Sequence, residues 1–233
     1  MSVYRIIRSY GRKRSRSLSE TQKSNLVNLY KIYGITIPKE KIDPKELFAN
    51  KFQQIILEIG FGNGEHLISN AIFHKDIAFI GCEPFENGVA NILGKIHANK
   101  LENIRIFKGD VRILLNWFNE QIIYRTYVLF PDPWVKKRHC KRRLLSTEFI
   151  SLLQKKSVSD GELVIATDCE DYMRNILENL NIISDNLSFC NDIRQLSHRP
   201  DNFISTKYER KSISKDKKCY YLNVYFRESV KSE

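Results

Sequence analysis

Asp132 lies between Pro131 and Pro133, is followed by Trp134, and then by Lys136, Lys137, Arg138, Lys141, Arg142 and Arg143. Each proline fixes φ and lacks a donor N–H, so the carboxylate rides on a turn with little freedom to reorient. A carboxylate beside so many cations is expected to stay ionised whatever its burial. The plain alternative is a surface turn running into a solvated basic loop. Against it stands the apolar, strand-type run Tyr127, Val128, Leu129 and Phe130, which puts Asp132 at a strand's carboxyl end.

Four more acids recur at comparable places. Glu58 closes an apolar run and is followed by the loop Gly60, Phe61, Gly62, Asn63, Gly64, whose missing side chains let a ligand lie against the backbone at a helix's amino end. Glu83, Asp110 and Asp168 follow three further runs. A dinucleotide loop would want glycine where Glu65 stands, and Glu58 would repel a pyrophosphate. Glu58 suits instead the ammonium or sulfonium of S-adenosyl-L-methionine, with Glu83 accepting from ribose hydroxyls and Asp110 facing the adenine amino group. For each acid, the reading as a helix-start cap stays open beside this one.

Such residues need a scaffold that delivers strand ends to one edge. The spacing predicts strands at Ile55–Ile59, Phe79–Cys82, Ile104–Phe107, Tyr127–Phe130 and Leu163–Ala166, alternating with helices, which is an α/β arrangement with a mainly parallel sheet and helices on both faces. Ligands bind such sheets at the carboxyl ends of the strands. Val89, Ile92, Leu93 and Ile96 mark the inner face of one helix, and Tyr172, Met173, Ile176, Leu177 and Leu180 that of another. Between them Ser146 is expected to cap a helix, with Leu145 and Ile150 as a staple and Phe149, Leu152 and Leu153 facing inward. Residues 204–226 read as a C-terminal antiparallel hairpin.

Two parts are expected: a basic arm with a short helix (1–50) and the α/β body (51–233). The arm carries Arg5, Arg8, Arg12, Lys13, Arg14, Arg16 and Lys23; Ser19 to Gln22 reads as a capping box, and Leu26, Leu29, Tyr30 and Tyr33 follow at helical spacing before Gly34 and Pro38.

The chain has 233 residues, with 38 Lys and Arg against 27 Asp and Glu, so a net charge of +11 draws polyanions, nucleic acid first. It has no run of about 18 apolar residues and no signal-peptide pattern, so a cytoplasmic protein without membrane contact is expected. Cys82, Cys140, Cys169, Cys190 and Cys219 are odd in number and form no CxxC pair, which suggests free thiols. His66, His74, His97, His139 and His198 lack ligand spacing; they read as ordinary surface or core residues, and no metal is expected.

With these motifs assembled, the chain resembles the bacterial tRNA (guanine-N7)-methyltransferases. The likeness rests on Arg8 to Arg12, Glu58 to Gly64, Gly81 to Glu83, Gly109–Asp110, Phe130 to Trp134 with Lys136 to Arg143, Ala166 to Asp168, Arg199–Pro200 and Thr206 to Glu209. The resemblance implies a Rossmann-like methyltransferase fold, S-adenosyl-L-methionine as donor, and guanine 46 of the tRNA variable loop as acceptor. It implies that Glu58, Gly60, Gly62, Gly64, Glu83, Asp110 and Asp132 line the donor site, that Asp132 is catalytic, and that Lys136, Asp168, Thr206, Lys207, Tyr208 and Glu209 contact tRNA. Cys169, Pro84 and the glycine-free stretch 215–218 depart from the family pattern. No protein partner is called for, and a monomer or homodimer is expected. Two alternatives are an enzyme methylating an exocyclic amine, since Asp132 to Trp134 resembles half of that motif, and a non-catalytic RNA-binding protein on the same fold.

Overall fold

The computed structural model describes residues 10–11, 17–37, 40–200 and 203–227; Arg5, Arg8, Arg12, Lys13, Arg14, Arg16 and Pro38 lie outside the described residues. Two compact units emerge, Met1–Gln53 with Glu58–Asn119, and Gln54–Leu57 with Glu120–Glu233. The first runs through α1 (Glu20–Ser24), α2 (Tyr30–Tyr33), the end of β1 (Ile55–Ile59), α3 (Glu65–Phe73), β2 (Ala78–Cys82), α4 (Glu86–Ala98), β3 (Ile104–Phe107) and α5 (Val111–Trp117). The second holds the start of β1, then β4 (Ile123–Leu129), α6 (Thr147–Lys156), β5 (Ser157–Thr167), α7 (Glu170–Ile182), β6 (Leu187–Phe189), α8 (Lys207–Ile213) and β7 (Tyr220–Phe226). The seven-stranded sheet has the order β3-β2-β1-β4-β5-β7-β6. β2 with β3 and β4 with β5 are parallel, whereas β7 is antiparallel to both β5 and β6. The mainly parallel sheet with an antiparallel C-terminal part is the one expected.

In the first unit, Ser19 caps α1 through the anticipated box: its hydroxyl accepts from Gln22 N at 3.2 Å, and Gln22 Oε1 accepts from Ser19 N at 3.0 Å. One π-helical turn, Asn25–Leu29, joins α1 to α2. Asn25 Nδ2 donates to Ala90 O and Gln22 Nε2 to Asn91 Oδ1, both at 3.0 Å, which docks this stretch on α4. Val89, Ile92, Leu93 and Ile96 bury the inner face of α4 completely.

In the second unit, Ser146 caps α6 as expected, and Leu145, Phe149, Ile150 and Leu153 are buried, while Leu152 is only half-buried. The stripe of α7 is buried throughout. Three elements differ from the sequence reading by more than one residue. β4 begins at Ile123 and ends at Leu129, because Phe130 turns to φ 51. β5 starts six residues earlier, at Ser157 rather than Leu163, against an irregular register with β4. The first arm of the C-terminal antiparallel pair is β6, upstream of residue 204, and 204–219 holds α8, because Thr206 supplies a helix cap there.

Candidate active site

In the first unit, Gly60, Gly62 and Gly64 have φ of 75, 56 and 72°, a run of left-handed backbone that side chains resist. A Cβ on Gly60 would meet nothing within 4 Å, whereas one on Gly88 of α4 would lie 2.1 Å from Gly62 O. The loop is therefore pressed by α4 on one side and open at Gly60. Glu83, buried at the end of β2, braces it: one carboxylate oxygen accepts from Gly62 N at 2.7 Å and the other from Phe85 N at 3.0 Å.

Glu58, 3% exposed at the end of β1, accepts from His66 Nδ1 at 2.7 Å. His66 belongs to the first turn of α3, and Asn70, one turn on, donates to His66 O at 2.9 Å and presents the same amide to its ring. His66 is a core residue, as one of the sequence readings had it, and its partner there is the Glu58 carboxylate. Its signal was its spacing, eight residues after a strand-end acid across a tight loop. Asp110 is both cap and ion-pair partner: it accepts from Arg112 N at 3.0 Å and from the Arg112 guanidinium at 2.8 and 2.6 Å. That hydrogen bond raises the Arg112 pKa.

In the second unit, Leu129 of β4 pairs with Ala166 of β5, so Asp132 and Asp168 leave neighbouring strand ends. Phe130 N donates to Ala166 O at 2.7 Å, and the turn between them carries two non-glycine residues of positive φ, Phe130 (51°) and Trp134 (44°). Asp132 is exposed, and its pKa is raised by desolvation rather than held down by the cations after it. Those cations face elsewhere. Lys136, Lys137, Arg138 and Lys141 are exposed on and before the 3-10 turn Lys137–Arg142. The rest close back on Trp134: the Arg142 guanidinium lies 5.0 Å from its ring centroid, His139 meets it edge-on at 5.9 Å, and Cys140 Sγ donates to its carbonyl at 3.6 Å. Arg143 is buried, so the basic block is not one solvated face. Burial and then Arg142, Lys136 and Lys141 lower the His139 pKa.

Asp168 Oδ2 accepts from Ser212 Oγ and Lys217 Nζ, each at 2.8 Å, which fastens α8 and its exit to the end of β5. Burial works against its ionisation, but these bonds outweigh it and lower its pKa. Thr206 caps α8 by accepting from Glu209 N at 3.0 Å, Lys207 and Tyr208 are exposed, and Glu209 is fully buried. Tyr221 Oη donates to Glu209 Oε1, Arg199 Nε lies 3.5 Å away, and Oε2 has no hydrogen-bond partner among the described residues. Glu209 is therefore enclosed in this structure beside Tyr221 and Arg199.

The five cysteines are free, no cluster of metal-ligating side chains occurs among the described residues, and no described helix is long and apolar enough to cross a membrane.

Residues 52–222 match a family model described as "Putative methyltransferase". The tRNA (guanine-N(7)-)-methyltransferase of Wolbachia pipientis wMel is 38% identical over 195 residues, 82% of either chain. That of Hyphomonas neptunium is 35% identical over 224 residues, 92% of this chain and 98% of its own. The solved 16S rRNA (adenine(1408)-N(1))-methyltransferase from Catenulisporales acidiphilia shares the fold: TM-score 0.54 at 15% identity, covering 82% of this chain and 97% of that one.

Proposed function

The chain belongs to the tRNA (guanine-N7)-methyltransferase family, and from that premise we propose that it methylates N7 of guanine 46 in the tRNA variable loop, in the cytoplasm, with S-adenosyl-L-methionine as donor. The observation that carries the reading is Asp132, presented on a constrained Pro-Asp-Pro turn at a strand end and followed by four exposed cations. The donor supplies an electrophilic methyl on a sulfonium. Glu58, buried beside His66, offers that cation a carboxylate; Glu83, which braces the glycine loop, meets the ribose hydroxyls; Asp110 closes the adenine side; and the backbone open at Gly60 admits the ligand.

N7 has an in-plane lone pair and no proton, so the reaction needs placement and charge stabilisation rather than a strong base. Alignment of the lone pair with the methyl is worth up to about 7–11 kcal/mol. As the ring turns cationic, the fixed Asp132 carboxylate stabilises charge that appears only in the transition state. Asp168 accepts from the guanine edge through the oxygen not engaged by Ser212 and Lys217, Lys136 and Lys207 meet phosphates, Tyr208 offers a ring, and Thr206 and Glu209 hold α8 in place.

The test is tRNA carrying 7-deazaguanine at position 46, which has a C–H where the lone pair was. It should bind normally and accept no methyl at that base. Methylation there would favour an exocyclic-amine enzyme, and absence of transfer even to unmodified tRNA would favour a non-catalytic binder.

A further inference from the structure

Among the cations after Trp134, Arg143 has its side chain 5% exposed, whereas its partner Asp171 is 74% exposed. A guanidinium so buried persists only where its donors and its faces are occupied. Nε donates to Pro133 O at 2.9 Å, Nη2 donates to Asp171 Oδ2, and the guanidinium carbon lies 4.9 Å from the centroid of the Tyr172 ring. Tyr172 is itself fully buried at the start of α7, and its hydroxyl accepts from Leu145 N at 3.2 Å. The bond to Pro133 O therefore runs from a rigid platform to the peptide that links Pro133, the residue after Asp132, to Trp134. The turn needs such a hold, because Phe130 and Trp134 sit in left-handed backbone that neither side chain favours.

We propose that Arg143 is a positioning residue for Asp132, acting through the Pro133 carbonyl and completed by Asp171, and that it makes no contact with tRNA phosphate. This rests on the reading of Asp132 as the catalytic carboxylate. Lysine cannot replace it, since one ammonium cannot span the Pro133 carbonyl and the Asp171 carboxylate in the geometry of a planar fork.

Steady-state kinetics and salt-dependent tRNA binding on Arg143→Gln, Arg143→Lys, Asp171→Asn, Asp132→Asn and the Asp132→Asn/Arg143→Gln double variant test this. Arg143→Gln and Arg143→Lys should each lower kcat about tenfold or more, with tRNA KM and the log-log salt slope unchanged. Asp171→Asn, on an exposed side chain that does not threaten folding, should lower kcat severalfold with the same unchanged slope. In the Asp132→Asn background, Arg143→Gln should add less than about twofold, because the group it positions is gone. A slope flattened by about 0.7–0.9 in Arg143→Gln would make Arg143 a phosphate contact and overturn the proposal. So would losses that multiply in the double variant, or an unchanged kcat in Asp171→Asn, while Asp132→Asn stays slow. Full turnover in Asp132→Asn alone would instead overturn the reading of Asp132, and this proposal with it.

Discussion

A carboxylate whose pKa is raised by desolvation titrates above the ordinary aspartate value of 3.8, and Asp132 is such a group. Its ionised form is the useful one, so kcat should decline as pH falls through that raised value, and Asp132→Asn should erase this acid limb while cutting turnover by about 10² or more with binding nearly intact. The linkage sign gives a second check. An acid raised in the folded state costs stability above both its pKa values, so at neutral pH Asp132→Asn should leave Tm the same or higher. A lower Tm would mean the charge is stabilised by neighbours. At Glu83 the expectation changes with the structure. Glu83→Gln turns an amide donor toward Gly62 N or Phe85 N, so donor binding measured by calorimetry should weaken by about 1–3 kcal/mol through the loop as well as the ribose. Unaltered affinity would remove Glu83 from the donor site. Asp132 and the glycine loop were legible in the sequence because proline and glycine mark backbone geometry directly. Arg143, His66 and Arg112 were not, since a letter in a charge run or a lone histidine does not say which way it turns.

At the scale of an element, the 3-10 turn Lys137–Arg142 sorts its side chains into two sets, outward cations and an inward group on Trp134. Replacing Lys136, Lys137, Arg138 and Lys141 with alanine should weaken tRNA binding and flatten its log-log salt dependence by up to about 0.7–0.9 for each phosphate that is no longer neutralised. Turnover at saturating tRNA should hold, and a slope that stays put would show a merely solvated face. The five helix-alternating strands were readable because period-2 and period-3.6 patterns survive in buried segments. The helix α8 was not read, although Thr206 and Glu209 have the spacing of a capping box; its few apolar residues lie among charges, Tyr208 and Ile213 being 57% and 55% exposed. The long start of β5 was hidden for a similar reason, since Ser157 to Gly161 carries little apolar signal.

For the molecule as a whole, the charge of +11 concerns encounter with RNA rather than folding. Stability against acid rests partly on Asp168. Lys217 and Ser212 overcome its desolvation and depress its pKa, so its contribution is present above the unfolded value of 3.8 and disappears as pH falls through the lower folded one. Thermal melts should show a constant deficit in Asp168→Asn from pH 7 to about 4 that shrinks below it; a deficit that persists in acid would place the effect in packing. Over generations, the turn at Lys137–Arg142 is free to change on one side only. The four outward positions, Lys136 before it and Lys137, Arg138 and Lys141 within it, can lose or regain charge without disturbing a bond to the Pro133 or Trp134 carbonyl. A lineage can therefore drift from one set of RNAs toward another through those four codons while its chemistry is inherited intact, and purifying selection falls instead on the side chains turned inward.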